Sequence, residues 1–207
     1  MGLLSRRYAV ISVYDKTGLN LLVEAFEKAR IEIMGSGGTA ETIRKMGRKV
    51  VEVSEYTGFP EMPTGLVKTL HPKIHAGILG DWNIPEQRTY LEKQEIQPLD
   101  FVVVNLYPFQ EVVKSGPYDI QKAVDNIDIG GVALIRAAAK GALLNHRVVP
   151  VTSPKYYPMV AKELSLNERI GDKLRRELVN EAFRVTSTYD TAIHDYLTSR
   201  RNLSGMS

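Results

Sequence analysis

The sequence predicts an α/β fold with a mostly parallel sheet and helices on both faces. Short apolar, β-branched runs such as residues 8–13 and 101–105 alternate along the chain with segments whose apolar residues recur at helical spacing. Strands that alternate with helices are typical of parallel sheets with crossover connections. The chain has 207 residues, enough for one domain with a full hydrophobic core. We therefore expect a three-layer α/β/α sandwich with a mostly parallel, doubly wound sheet.

Three strands and two helices are predicted in the first part of the chain. Residues 8–13 form a short apolar run that is typical of a buried strand. The next segment has apolar residues at helical spacing, namely Leu22, Ala25, Phe26 and Ala29. The predicted elements are a strand over 8–13, a helix over 18–30, a strand over 31–34, a helix over 39–46 and a strand over 49–54.

A long irregular stretch, residues 55–72, follows these elements. It is rich in residues that interrupt regular structure, namely Gly58, Pro60, Pro63 and Gly65. Loops of this length in compact domains usually have a function. We therefore expect part of the functional site to lie here.

The second half of the chain is predicted to add two strands and a helical C-terminal region, with residues 1–200 forming one domain. The run Phe-Val-Val-Val-Asn at 101–105 indicates the most deeply buried strand. The remaining elements are a strand over 147–152, two helices between 154 and 197 of which the second starts near Asn167, and a flexible tail over 201–207.

Composition narrows the class of function. The chain has no cysteine, which excludes disulfides and thiolate catalysis. Its net charge is only +3, with acids and bases interspersed. Binding of an anionic small molecule is therefore a simpler interpretation of this charge than binding of a nucleic acid. No apolar run approaches the roughly 20 residues that cross a bilayer. These features predict a cytoplasmic protein that binds neither nucleic acid nor membrane.

Two turns that follow the first two strands have the character of phosphate sites. Lys16-Thr17-Gly18 and Gly35-Ser36-Gly37-Gly38-Thr39 each open a predicted helix, whose N-terminal amides and dipole favour anions. Plain helix capping is the alternative, because Asp15, Thr17 and Thr39 are all good N-cap residues. The spacing differs from that of a P-loop, which is therefore excluded.

Further along the chain, several residues with polar or ionisable side chains have both a functional and a structural interpretation. His71 and His75 have a spacing that suits a metal, but Pro72 lies between them and the ligand set is sparse, so we predict no metal site. Tyr107 follows the best strand and is either a site residue or a core ring. Asp128 precedes Gly130-Gly131 and is by default a helix cap.

Five motifs in order resemble those of the inosine monophosphate (IMP) cyclohydrolase domain, the N-terminal half of a bifunctional enzyme of purine biosynthesis. The resemblance covers residues 8–196 and implies a methylglyoxal synthase-like fold. The motifs are Tyr14-Asp15-Lys16-Thr17-Gly18, Gly35-Ser36-Gly37-Gly38-Thr39-Ala40, Leu66-Val67-Lys68-Thr69-Leu70-His71-Pro72, Asn105-Leu106-Tyr107-Pro108-Phe109 and the run from Asn126 to Lys140.

The resemblance implies closure of the purine ring of 5-formamidoimidazole-4-carboxamide ribotide (FAICAR) to IMP, with loss of water and without a cofactor. It implies four catalytic residues, namely Lys68, Tyr107, Asp128 and Lys140. In our hypothesis Lys68 and Tyr107 polarise the formyl group, Asp128 orients or deprotonates the carboxamide, and Lys140 transfers a proton. The implied substrate-binding residues are Tyr14, Lys16, Thr17, Ser36, Gly37, Gly38, Thr39, Thr69, Asn105, Leu106, Ile129 and Gly130.

The chain departs from the family pattern at two of these motifs. Leu66 stands where the family usually has an arginine that holds the ligand, and Tyr14 stands where a serine is usual in the phosphate turn. Each change removes a polar partner for the ligand.

Lys140 poses a geometric question. If residues 128–140 formed one straight helix, a rise of about 1.5 Å per residue would separate Asp128 from Lys140 by roughly 18 Å. Both can serve one substrate only if the helix is shorter or bent, or if Lys140 reaches the site of a neighbouring subunit. Members of the family dimerise, so a homodimer is expected. A separate AICAR formyltransferase is an expected partner if the chain stands alone.

Two other functions fit the same fold. A non-catalytic nucleotide-sensing module, such as the allosteric domain of carbamoyl phosphate synthetase, would use Lys16 and the turn at 36–39. It would have no need of the four catalytic residues together. A lyase of the methylglyoxal synthase type would share the phosphate turn but has no obvious counterpart of residues 105–109.

Overall fold

A computed structural model describes residues 6–65, 67–114 and 119–199. Within this part of the chain, strands pair in parallel in the order β3-β2-β1-β4-β5. The expected parallel α/β sheet is confirmed. The strands are β1 (Arg7–Val13), β2 (Ile31–Gly35), β3 (Val51–Glu52), β4 (Leu99–Asn105) and β5 (Val149–Val151).

Helices connect and cover the strands. None of the described helices has the length and hydropathy of a membrane-spanning segment. Single 3₁₀ turns occur at Pro63–Gly65 and Pro154–Tyr156. The α-helices are α1 (Leu19–Lys28), α2 (Gly37–Lys45), α3 (Val53–Thr57), α4 (Pro72–Leu79), α5 (Pro85–Lys93), α6 (Phe109–Lys114), α7 (Ile120–Asp125), α8 (Gly130–Asn145), α9 (Tyr157–Asn167) and α10 (Asp172–Thr198).

The sheet is buried on both faces, which makes the fold a three-layer sandwich. Alternate residues of β1 enter opposite cores: Ala9 and Ile11 pack in the one formed with α1 and α9, and Val10 packs in the one formed with α4 and α8. Helix α10 contributes to both cores, through Leu178 on one side and Ala182 on the other. Strands covered on both faces carry near-continuous apolar runs rather than alternating ones, which is why the sequence signal was strong here.

Several boundaries differ from the expectation, two of them for a clear structural reason. The strand expected over 49–54 has only two residues, because the chain turns into α3 at Val53 and that helix ends at Gly58 in the left-handed conformation. The second C-terminal helix starts at Asp172 rather than near Asn167, because Glu168 adopts a left-handed conformation (φ 56°) that ends α9. The expected tail over 201–207 lies outside the described residues.

The strand order creates a crevice between β1 and β4. The chain leaves β1 toward β2 and β3 on one side, while β4 and β5 lie on the other. Ligands of open α/β sheets bind where the order reverses, outside the carboxyl ends of the strands. Val13 and Asn105 are paired at these ends. This is the point at which the predicted site residues should meet.

Candidate active site

A cavity of about 320 Å³ opens at the carboxyl ends of β1, β2 and β4. It brings together residues of every sequence motif singled out above. A larger cavity of about 960 Å³ lies between α1 and α9, but it contains none of the predicted site residues. The predicted residues that line the smaller cavity are Tyr14, Lys16, Ser36, Gly38, Thr39, Lys68, Thr69, Asn105, Tyr107, Asp128, Ile129 and Gly130.

The turn between β1 and α1 is held by the side chain of Asn105 at the end of β4. Its Oδ1 accepts hydrogen bonds from the N–H groups of Tyr14 (2.7 Å) and Asp15 (2.8 Å), and its Nδ2 donates to the carbonyl of Asp15 (2.8 Å). Lys16 Nζ donates to the carbonyls of Val13 and Tyr14. The side-chain amide of Asn105 thus holds the backbone of this turn, which borders the cavity.

The turn between β2 and α2 is anchored to β1 by Thr39. This buried hydroxyl donates to the carbonyl of Val13 (3.1 Å) and accepts from its N–H (3.2 Å). Ser36 occupies the N-cap position in extended conformation, and its side chain makes no capping hydrogen bond. The N–H groups of the first helical turn have no acceptor within the helix, so this end of α2 is suited to an anion.

Lys68 reaches over both glycine-rich segments of the site. A Cβ at Gly37 would lie 2.6 Å from Lys68 Nζ, and a Cβ at Gly65 would lie 2.4 Å from Lys68 Cε. Both glycines have positive φ, 50° and 73°, so backbone conformation favours glycine at these positions, whereas the flexible end of Lys68 could move aside for a Cβ. Lys68 Nζ lies 3.3 Å from Glu61 Oε2. Its neighbour Thr69 is buried.

Asp128 is fixed at the start of α8 from two sides. Its Oδ1 accepts a hydrogen bond from the N–H of Gly131 (2.7 Å), and its own N–H donates to the hydroxyl of Tyr189 on α10 (2.7 Å). Burial raises the pKa of this carboxyl, and hydrogen bonds from the backbone N–H groups of Gly131 and Tyr107 partly offset that rise. Asp128 therefore does cap the helix, and it faces the cavity as well.

Two tyrosines form an aromatic wall of the cavity. The ring centroids of Tyr14 and Tyr107 are 5.1 Å apart with a tilt of 52°, and each side chain is about half exposed. A tilted pair at this distance is a favourable aromatic contact. Where the resemblance leads us to expect a serine, Tyr14 thus adds a half-exposed ring beside the turn between β1 and α1.

Some predicted residues do not line the cavity. Thr17 donates its N–H to Asp15 Oδ1 (2.9 Å), Gly37 lies beneath Lys68, and Leu106 packs in the core on the α8 side of the sheet. Leu66 lies outside the described residues.

Lys140 is exposed on α8, an unbroken helix of 16 residues, and lies outside the cavity. At a rise of about 1.5 Å per residue, Lys140 is roughly 15 Å along the helix from Gly130. A helix that ends before Lys140, part of the first explanation above, is therefore wrong. Lys140 stands beside Leu143 and Leu144, whose side chains are 58% and 53% exposed.

Sequence reasoning missed several residues that shape the site. Tyr189 holds the segment before α8, because its hydroxyl also donates to the carbonyl of Asn126 (3.1 Å). Tyr157 at the start of α9 is buried and hydrogen-bonds the side chain of Asn105, while burial raises its pKa to about 12. Glu61 pairs with Lys68. The contacts of Tyr189 and Tyr157 join distant parts of the chain, and Glu61 and Lys68 pair within an irregular stretch, so no local pattern marks any of them.

The fold and this site define an α/β domain with a parallel sheet and a ligand-sized cavity at the carboxyl ends of its central strands. The chain belongs to the MGS-like domain family, whose model matches residues 18–133. Its C-terminal part, residues 138–206, matches the AICARFT/IMPCHase bienzyme family. The resemblance seen in the sequence is thereby confirmed.

Curated relatives carry the name bifunctional purine biosynthesis protein PurH. The one from Rippkaea orientalis is 42% identical over 92% of this chain, and the one from Neisseria meningitidis is 43% identical over 94%. The chain spans 37% and 36% of the length of these two relatives. Among solved structures, that of ForH superposes with a TM-score of 0.83 at 26% identity, covering 93% of this chain and 97% of ForH.

Proposed function

We propose that this chain is an IMP cyclohydrolase that closes the purine ring of FAICAR to give IMP and water. One observation carries the proposal: Lys68, Tyr107 and Asp128 line the same cavity as the turns that follow β1 and β2. The relatives named PurH and the match to the AICARFT/IMPCHase family agree with a role in purine biosynthesis.

The substrate phosphate is assigned to the turns that follow β1 and β2. Ser36 lacks a capping bond and is free to donate its hydroxyl to an anion. The first-turn N–H groups of α2 and the ammonium of Lys16 add donors on the same side of the cavity. Binding at this end would direct the imidazole ring toward Tyr107 and Asp128.

Ring closure needs the carboxamide nitrogen and the formyl carbon of one molecule held close together. The nitrogen attacks the formyl carbon, a proton leaves the nitrogen, and the resulting carbinolamine loses its hydroxyl as water. Holding both groups in the reactive geometry lowers the barrier without any covalent intermediate. Tyr107 and Asp128 lie on the wall where these groups would sit.

The developing charge on the formyl oxygen has donors nearby. Ile129 and Gly130 line the cavity at the start of α8, where backbone N–H groups lack acceptors within the helix. Lys68 adds a cation. Asp128, whose burial raises its pKa, is a stronger base than an exposed aspartate and is assigned to the carboxamide.

Lys140 is assigned to the cavity of a second subunit. The uninterrupted helix α8 carries it beyond the residues that line its own cavity, and the exposed Leu143 and Leu144 beside it suit a subunit interface. We therefore include a homodimer in the proposal. FAICAR would come from a formyltransferase activity, whether on a separate protein or on the part of the relatives that this chain does not match.

The first test is direct turnover. Purified protein is mixed with FAICAR at neutral pH without metal or folate, and IMP formation is followed by ultraviolet absorbance against a protein-free control. We expect rapid conversion, and a loss of about 10²-fold or more in kcat/KM for Lys68→Ala, which removes the cation facing the reaction. Lys93→Ala, an exposed lysine on α5, is the matched control and should behave as wild type.

Absence of any acceleration by the wild-type protein would overturn the proposal. If IMP still bound under those conditions, the nucleotide-sensing alternative would be favoured instead. Conversion of dihydroxyacetone phosphate, the triose phosphate substrate of methylglyoxal synthase, would favour the lyase.

A further inference from the structure

The loop residue Glu61 forms an ion pair with Lys68. Lys68 Nζ lies 3.3 Å from Glu61 Oε2, and the two side chains are 30% and 33% exposed. Lys16, the other lysine of the cavity, donates instead to backbone carbonyls. Glu61 itself does not line the cavity. It therefore acts on the site through Lys68.

The position of the ammonium makes this pairing significant. Lys68 Nζ lies against Gly37, the first residue of α2, where the helix dipole presents positive partial charge. A cation is disfavoured at that end of a helix and an anion is favoured. The carboxylate of Glu61 therefore supplies the negative charge that a substrate phosphate would supply when bound.

We propose that Glu61 is a positioning residue. Its carboxylate keeps Lys68 over the turn that opens α2 until an anionic substrate displaces that carboxylate. The inference rests on the proposed function, because it concerns the affinity of the same site for its substrate. When the phosphate binds at the start of α2, it provides the negative charge that Glu61 otherwise provides to Lys68. Its ammonium then turns to the substrate, and the carboxylate swings toward solvent.

This mechanism and a purely structural role for Glu61 predict opposite changes in substrate binding when the carboxylate is removed. Substrate binding has to break the Glu61–Lys68 pair, so removing the carboxylate should strengthen binding. If Glu61 only held its loop in place, its loss would weaken binding. The direction of the change in KM therefore separates the two roles.

The test compares the KM of FAICAR turnover in three variants with that of wild type. Glu61→Gln keeps the shape of the side chain and removes its charge; we expect KM to fall about two- to fivefold, the range given by a partly exposed ion pair, with a smaller change in kcat. Glu61→Asp retains the charge at a longer distance from Lys68, so its KM should lie closer to that of wild type.

Glu55→Gln is the matched control. Glu55 is an exposed acid on α3, so the substitution removes one negative charge from the same region without touching Lys68. Its KM should equal that of wild type. The gap between wild type and Glu61→Gln should narrow as salt is added, because both partners of the pair are partly exposed.

The two proposals fail in different ways. An unchanged or higher KM in Glu61→Gln, with active wild-type protein, would overturn the inference and leave the proposed function standing. If wild type does not turn over FAICAR, the proposed function fails. The dissociation constant of IMP measured by calorimetry on the same proteins then decides the inference, with tighter binding by Glu61→Gln supporting it and equal or weaker binding overturning it.

Discussion

At the scale of single residues, Asp128 combines a structural and a chemical task. Its carboxylate caps the start of α8 through Gly131, and it also faces the cavity. Burial raises its pKa, so keeping the carboxyl in the charged form that a base requires lowers the stability of the folded state. Sites that store such a cost often trade stability for function. The two tasks can be separated by substitution.

Asp128→Asn should lose activity without losing stability. The amide oxygen can still accept from the N–H of Gly131, but it cannot take up a proton, so we expect kcat to fall by about 10²- to 10⁴-fold. The melting temperature at neutral pH should be equal to or above that of wild type, because a buried charge is removed. Turnover of FAICAR and thermal unfolding measure the two effects.

The pH dependence of this stability difference follows from the direction of the pKa shift. Because the folded-state pKa of Asp128 is raised above its unfolded value, the folded state binds more protons between the two values, and wild-type stability falls as pH rises through that window. The advantage of Asp128→Asn should therefore be largest above the raised pKa and shrink at acid pH. A constant difference across pH would contradict the assignment.

At the scale of elements, α10 acts on the cavity without lining it. The Tyr189 hydroxyl accepts from the N–H of Asp128 (2.7 Å) and donates to the carbonyl of Asn126 (3.1 Å). It therefore fixes the segment that leads into α8. The ring of Tyr189 is mostly buried and packs against Phe109, in a cluster that includes Ala123. Helix α10 thus connects the core to the orientation of the candidate base.

Tyr189→Phe should affect both stability and turnover. It keeps the packed ring but leaves two backbone groups of the 126–128 segment without their partner, at a cost of about 1–3 kcal/mol in unfolding free energy. We expect kcat to fall as well, because Asp128 loses its anchor. Denaturant unfolding and FAICAR turnover provide the measurements.

The control for this prediction lies two turns further along α10. The hydroxyl of Tyr196 makes longer contacts with the N–H (3.3 Å) and carbonyl (3.4 Å) of Asp119 at the start of α7. Tyr196→Phe should therefore lower stability slightly and leave turnover unchanged. Equal kcat in Tyr189→Phe and wild type would show that the anchor has no part in catalysis.

The elements also show which features a sequence alone reveals. The apolar runs of β1 and β4 were visible because both faces of those strands are buried, and the glycine-rich turns were visible because backbone conformation requires glycine at Gly37 and Gly65. The β-branched residues around Val51 favoured a longer strand, yet β3 pairs on one side only and passes into α3. Tertiary packing decided that boundary.

The site was predicted as a set of motifs, and its supporting contacts could not be predicted. Asn105 is expected to contact the nucleotide and lines the cavity, but the sequence did not show that its side chain also holds a turn 90 residues earlier in the chain. The anchor from Tyr189 to Asp128 spans 61 residues. Such pairs depend on how helices dock, and local sequence patterns carry no information about docking.

At the scale of the whole molecule, the position of Lys140 outside the cavity favours a second copy of the chain if that residue is catalytic. Within one subunit α8 is continuous, and Lys140 lies roughly 15 Å from the start of the helix at about 1.5 Å per residue. In a twofold-symmetric dimer, each subunit would give its lysine to the other's cavity. This arrangement predicts a result that no cis arrangement can produce.

Lys140→Ala and Asp128→Asn chains should complement each other when they form mixed dimers. Each homodimer lacks one catalytic group in both cavities and should be nearly inactive. In a mixed dimer, the cavity of the Lys140→Ala chain keeps its own Asp128 and receives Lys140 from the other chain, so one complete cavity is restored. Co-expression with two different tags isolates the mixed dimer, and FAICAR turnover measures the recovery.

A second pair of variants tests whether recovery depends on a residue that comes from the other subunit. Lys68 and Asp128 line one cavity of the same chain, so a mixed dimer of Lys68→Ala and Asp128→Asn has a lesion in each cavity and should stay inactive. Recovery in the first pair alone places Lys140 in trans, and sedimentation should then show a dimer. Absence of recovery in both pairs, or normal turnover by Lys140→Ala, would mean that each cavity works with residues of its own subunit.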